Sequence, residues 1–185
     1  MPKRMYALIS ALILAAAAAS PAAARDVEMR TGAGVIVISV DEKRAPLSAA
    51  NFLQYVRDGF FDGLIFHRVI PGFVIQGGGF TADMQKRPTR PPIKNEAGNG
   101  RKNAKYTLSM ARTNDPHSAT SQFFINLADN ANLDYSAANP GYAVFGEVVE
   151  GREVVDAIAA VPTQNFGRFR DVPAAPVMIE KATVK

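Results

Sequence analysis

The chain has no cysteine and no tryptophan, and its 185 residues include only two histidines, His67 and His117. Without cysteine there is no disulfide, no thiol nucleophile and no zinc–thiolate centre. Two histidines, with no cysteine and no carboxylate pair beside them, fall short of a transition-metal ligand set, so no metal is expected. A serine hydrolase is equally unsupported, since no Gly-x-Ser-x-Gly elbow occurs. Gly77-Gly78-Gly79 is not followed by the Gly-Lys-Ser/Thr of a phosphate loop and reads instead as a bulge or a close backbone approach. Charge of one sign is also scarce, with 21 basic against 17 acidic residues. The densest basic stretch is Lys86, Arg87, Arg90, Lys94, Arg101, Lys102 and Lys105. Prolines and glycines interrupt it, so it reads as a solvated loop surface, and no nucleic-acid partner is expected.

Long apolar runs are missing as well, with one exception. Lys3 and Arg4 precede an apolar run from Met5 to Leu14 that continues into alanines, and Ser20-Pro21-Ala22-Ala23-Ala24 follows. A short positive region, an apolar region and an Ala-x-Ala site are the parts of a secretory signal peptide. A membrane anchor needs about twenty apolar residues, and this run is shorter and is broken by Pro21. Residues 1–24 are therefore expected to be a signal peptide cleaved before Arg25, and 25–185 the mature, soluble chain. Losing Lys3 and Arg4 leaves 19 basic against 17 acidic residues, a net of +2. Export to an oxidising compartment, a periplasm, is compatible with the absence of cysteine. A mature chain of this length makes one domain.

What that domain contains is mostly β-type runs between turn signals. Val27-Glu28-Met29 and Gly34–Val40 flank a Thr31-Gly32-Ala33 turn. Leu64–Val69, Phe73–Gly77, Tyr106–Met110, Phe123–Asn126, Ala143–Val148 and Val177–Val184 read as further strands. After Pro46, the spacing of Leu47, Ala50, Leu53 and Val56 predicts a helix that Gly59 ends. A second helix is predicted over about Gly151–Ala160, with Val154, Val155 and Ile158 on one face and Pro162 as its stop. The Pro-, Gly- and Asn-rich stretch from Thr81 to Lys105 is too long for a turn, and such loops often cover or serve a site. The pattern fits a barrel plugged by two helices and fits a sandwich nearly as well.

The chemistry-bearing residues cluster in two places. His67-Arg68-Val69-Ile70-Pro71-Gly72-Phe73-Val74-Ile75-Gln76 carries an arginine, an aromatic and an amide around a tight bend that should bring Arg68 and Gln76 to one face. Thr120-Ser121-Gln122-Phe123-Phe124-Ile125-Asn126 mixes paired aromatics with polar residues in a strand. The run from Phe66 to Gly78 closely resembles the cyclophilin signature. Leu108-Ser109-Met110-Ala111, Ser121–Ile125, Leu133-Asp134 and Val144-Phe145-Gly146 match later landmarks of that family, in order, over nearly all of the mature chain. The loop containing Pro91-Pro92-Ile93-Lys94-Asn95-Glu96 is similar to that of the bacterial periplasmic branch.

The resemblance implies a mainly β fold, a closed eight-stranded antiparallel β-barrel capped by two α-helices, with the site on its outer face. It implies a peptidyl-prolyl cis-trans isomerase (rotamase) with no covalent intermediate and no cofactor. Its partners would be proline-containing unfolded or partly folded polypeptides during folding of exported proteins, and a monomer is the default. The family's arginine falls on Arg68, which would direct its guanidinium at the prolyl nitrogen. Phe73, Val74, Phe124 and Leu133 would form the proline pocket, and Gln76 would anchor the substrate backbone. Gln122 would support Arg68 or the peptide, and Ala111 with the backbone of Arg112 would bind the residue before proline. His67 and Ser121 are expected to be structural. Asn132 stands where cyclosporin-sensitive relatives carry tryptophan and Tyr142 where they carry a pocket histidine, so weaker inhibition is expected. The alternative is a proline-binding chaperone module without turnover, against which the presence of Arg68 argues.

Overall fold

The computed structural model describes residues 25–185; the expected signal peptide lies outside them. Eight strands close into one antiparallel barrel: β1 (Arg25–Thr31), β2 (Gly34–Val40), β3 (Leu64–Ile70), β4 (Val74–Thr81), β5 (Thr107–Met110), β6 (Phe123–Asn126), β7 (Val144–Glu150) and β10 (Val177–Val184). Around the barrel their order is β1-β10-β3-β4-β6-β5-β7-β2, and β2 pairs back to β1. Closure leaves the barrel no free edge, which settles the choice between barrel and sandwich. Two helices, α1 (Pro46–Arg57) and α2 (Arg152–Ala159), pack against it. A separate hairpin of β8 (Thr163–Phe166) and β9 (Phe169–Pro173) was not expected: β8 is exposed at every residue, so it carries no hydrophobic alternation.

The interior is filled by rings. Phe52 of α1 lies 5.1–5.5 Å, centroid to centroid, from Phe61, Phe123 of β6 and Phe145 of β7. Edge-on and tilted contacts of this kind add to the burial of large apolar surfaces. On α2, Val155 and Ile158 are buried as predicted, with Val154 packed at their margin. On α1 the helix is where the spacing put it, but its buried face is rotated. Ser48, Ala49, Phe52, Leu53, Tyr55 and Val56 are buried, whereas Leu47 and Ala50 face out. Choosing the smaller aliphatic residues overlooked the two aromatic rings, which bury far more area.

The long loop has a structural task. Ala45 offers α1 no side-chain cap, and Glu96 supplies one from a distance in sequence. Its carboxylate accepts from the Leu47 and Ser48 N–H groups at 3.0 and 2.8 Å and from Ser48 Oγ at 2.7 Å. A negative charge placed on unpaired N–H groups at a helix start is favourable on both counts. The loop's basic residues are mostly engaged. Arg87 Nη1 donates to the Phe60 carbonyl at 2.6 Å, Arg90 pairs with Asp58, Arg101 with Asp41, Lys102 with Asp134 and Lys105 with Asp156.

Gly59 ends α1 as predicted. With φ +63° it lets its own N–H reach Val56 O and the Phe60 N–H reach Tyr55 O, both at 3.0 Å, while the Tyr55 and Phe60 rings pack 4.5 Å apart. That is a Schellman stop with its apolar contact. A side chain here must adopt a left-handed backbone at a cost of about 1–2 kcal/mol. Gly59→Ala should accordingly lower the thermal midpoint by several degrees. Gly32→Ala, where no positive φ occurs and nothing lies within 4 Å of the added carbon, should be neutral or slightly stabilising. Equal midpoints for the two variants in thermal unfolding would contradict this account of the helix stop.

Candidate active site

Strand register places the site. Arg68 of β3 pairs with Gln76 of β4, Gln76 with Phe124 of β6, and Phe124 with Ser109 of β5. Residues aligned across neighbouring strands point to the same face, so these four form one row on the barrel's outside. Their neighbours Ile75, Ile125 and Leu108 belong to the interior cluster instead. Alternation thus turns Phe123 inward and Phe124 outward. Phe124 is only 5% exposed, because Val74 and Ala111 pack on it and Phe73, Leu133 and Tyr142 surround the three.

These residues enclose a cleft of about 120 Å³ lined by Arg68, Phe73, Val74, Gln76, Ala111, Arg112, Phe124, Leu133 and Tyr142. Nine of the ten predicted site residues therefore meet at one cavity. The tenth, Gln122, sits behind it, where its Oε1 accepts from Gln76 Nε2 at 3.0 Å. Gln122 thus braces Gln76, and among the described residues Arg68 makes no side-chain hydrogen bond. The glycine run permits this arrangement: a Cβ on Gly79 would come within 2.6 Å of Gln122 Cγ, and one on Gly78 within 2.9 Å of Ser121 O. Ser121, buried, donates to Gly78 O at 2.7 Å, which fits its expected structural role. Asn132 is exposed beside the cleft.

One wall is held by polar groups that the sequence did not single out. Asn103 donates to Leu133 O and Asp134 Oδ1, both at 3.1 Å, and accepts from Ser109 Oγ at 2.7 Å. Asn130 donates to Phe73 O at 2.9 Å and to Asn126 Oδ1 at 2.8 Å. The network thereby fixes the backbone at two pocket residues, Phe73 and Leu133. Buried amides can do this because each offers donors and acceptors at one end. On the opposite side the Arg112 guanidinium lies 4.3 Å from the Tyr142 ring centroid and donates to Gly141 O at 3.0 and 3.1 Å. Arg112 was expected to serve through its backbone alone; its side chain also holds the Tyr142 wall. Tyr142 meets Phe124 edge-on at 5.5 Å.

His67, next to Arg68, faces away from the cleft. It is 6% exposed, packs tilted against Phe80 with ring centroids 4.6 Å apart, and its Nδ1 is buried with no partner. Burial, and secondly the Arg68 charge, lower its pKa from 6.5 to about 4. The ring is therefore neutral at neutral pH. Between about pH 6.5 and 4 the unfolded chain takes up a proton that the folded chain excludes. Stability is full above that window and falls through it, by on the order of 3 kcal/mol. His67→Phe keeps a ring against Phe80 and removes the titration. Chemical denaturation from pH 7 to 4 should give a flatter stability curve for the variant than for the parent, and parallel curves would contradict the assignment.

The comparisons agree with this geometry. The model of the cyclophilin type peptidyl-prolyl cis-trans isomerase family matches residues 26–184. A protein named peptidyl-prolyl cis-trans isomerase A from Dickeya dadantii is 50% identical over 188 residues, covering 100% of this chain and 98% of that protein. Peptidyl-prolyl cis-trans isomerase B of Escherichia coli is 52% identical over 161 residues, covering 85% of this chain and 98% of its own length. Among solved structures, a cyclophilin type isomerase from Cryptosporidium parvum shares the fold at TM-score 0.72 and 24% identity, over 86% of this chain and 98% of that one. The row of outward residues, the cleft beside it and these matches lead to one conclusion: the chain belongs to the cyclophilin-type peptidyl-prolyl cis-trans isomerases.

Proposed function

We propose that Arg68 is the catalytic residue and that the cleft beside it holds the proline ring of an X-Pro substrate. The observation that carries this is the juxtaposition, in a single cavity, of an apolar pocket with a guanidinium that makes no side-chain hydrogen bond among the described residues. Peptide-bond rotation is opposed by a barrier of about 18–20 kcal/mol because the nitrogen lone pair is delocalised into the carbonyl. No nucleophile is needed to lower it. A donor aimed at the nitrogen binds the lone pair as the amide twists, and that bond exists only once conjugation is lost. Such an interaction favours the transition state over either planar isomer. Arginine suits the task through its permanent charge and planar set of donors.

The pocket supplies ground-state binding. Val74, Phe124, Leu133 and Phe73 offer apolar surface to the ring, and Tyr142 adds a wall with a polar tip. Gln76, braced by Gln122, is placed to bond the substrate backbone, and Ala111 and Arg112 border the residue before proline. The Cryptosporidium relative was crystallised in the presence of the dipeptide Ala-Pro, which is the substrate class this reading requires.

We further propose that the enzyme acts on exported proteins in a periplasm. The support is the residue pattern of 1–24, a short positive region, an apolar run and an Ala-x-Ala site before Arg25. Cleavage there would keep every β1 pairing among the described residues. Intact mass of the exported protein should begin at Arg25, and a periplasmic species that retains Met1–Ala24 would contradict it.

The division of labour between charge and pocket is separable by kinetics. Arg68→Ala should lower kcat/KM about 10²–10³-fold while proline peptides still bind. Phe124→Ala should weaken binding as well as rate, since it removes pocket surface. A protease-coupled isomerisation assay with a binding measurement tests both. A folded Arg68→Ala variant with the parental rate would refute the assignment.

A further inference from the structure

Resting on Arg68 as the catalyst, we infer that Asp171 is a positioning residue that holds its guanidinium toward the cleft. Asp171 belongs to β9 of the β8–β9 hairpin, and its Oδ2 lies 3.8 Å from Arg68 Nε. It does not line the cleft, so it acts through Arg68 and not on the substrate.

The backbone is bent to put it there. Within the hairpin Gln164 pairs with Val172 and Phe166 with Phe169, so Arg170 and Asp171 together oppose the single residue Asn165. That is a bulge, a device that re-aims side chains and is common beside active sites. Asp171 has φ +58° and is one of three non-glycine residues with positive φ among those described. The bulge has two consequences. Phe169 and Val172, three apart, both pack on one cluster with Ile65, Met84 and Phe80, which fastens β9 over β3. The residue between them that breaks the alternation is left half-exposed, beside Arg68.

Stability does not explain the arrangement. The two side chains are 41% and 43% exposed, and ion pairs that wet contribute little. Orientation does. Arg68 makes no side-chain hydrogen bond among the described residues, and its cross-strand neighbour Gln76 donates through Nε2 to Gln122 and not to Arg68. Among the described residues, Asp171 is the charged group paired with the guanidinium. At 3.8 Å it attracts the Nε edge without forming a hydrogen bond, so the N–H donors stay available for the prolyl nitrogen.

Asp171→Asn is the informative variant, because asparagine keeps the shape and accepts a left-handed backbone at least as readily. Thermal unfolding should be unchanged. We expect kcat to fall about two- to fivefold, the range expected of an exposed charge pair, with KM unchanged. Salt should narrow the gap between parent and variant. In an Arg68→Ala background the same change should have no further effect on the rate. Parental kcat in Asp171→Asn would overturn the inference. So would the same fold-loss in the Arg68→Ala background, which would show that Asp171 acts independently of Arg68. A parental rate in Arg68→Ala alone is a different failure: it removes the catalytic assignment itself, and the inference with it.

Discussion

The barrel's interior is full, and the rest of the molecule follows from that. Phe52, Phe61, Phe66, Phe123 and Phe145 are each no more than 1% exposed and pack against one another inside the closed sheet. Protein interiors pack to crystal-like density, and the cleft lies instead on the outer face, lined by residues that strand alternation sends outward. An outer face open to water holds an apolar ring poorly. The structure answers this with loops: residues 103, 130–133 and 141–142 close around Val74 and Phe124 and are locked by buried amides.

The electrostatic arrangement is selective in the same way. Arg101 is paired with Asp41 and Arg87 donates to main-chain carbonyls, each fastening one element to another. Arg112 is spent on a carbonyl and an aromatic ring. Arg68 alone among the cleft's charged groups keeps its donors unbonded. A catalyst for amide rotation has to offer those donors to an atom that becomes basic only in the transition state, and prior commitment would cost it that interaction.

Much of this was legible in the sequence, and the failures have physical reasons. All eight barrel strands could be read because β-type runs bounded by turn residues mark them, and Gly59 because a helix stop of this kind needs positive φ. The barrel end of β5 is one residue late, since Tyr106 at φ +69° cannot continue a strand. The inward face of α1 differs from the apolar spacing through Leu47 and Ala50, because the rings of Phe52 and Tyr55 bury more area and turn that face to the core. The residues that line the cleft were picked out by motif resemblance; the bend at Pro71-Gly72 pointed to Arg68 and Gln76 sharing a face, while their meeting with Phe124, Leu133 and Tyr142 depends on register and loops far apart in sequence. Asp171, Asn103 and Asn130 had no signal at all. Each is a polar residue in a loop or exposed hairpin, and only the folded chain shows what it touches.

The central claim is that a planar guanidinium, and not positive charge alone, lowers the barrier. Exchange NMR on Arg68→Lys, with a proline peptide at equilibrium, tests it most directly. The account predicts that the peptide still perturbs the methyl resonances of Val74 and Leu133, while cis–trans exchange on the protein slows by more than about tenfold. Exchange at the parental rate in the lysine variant would contradict it.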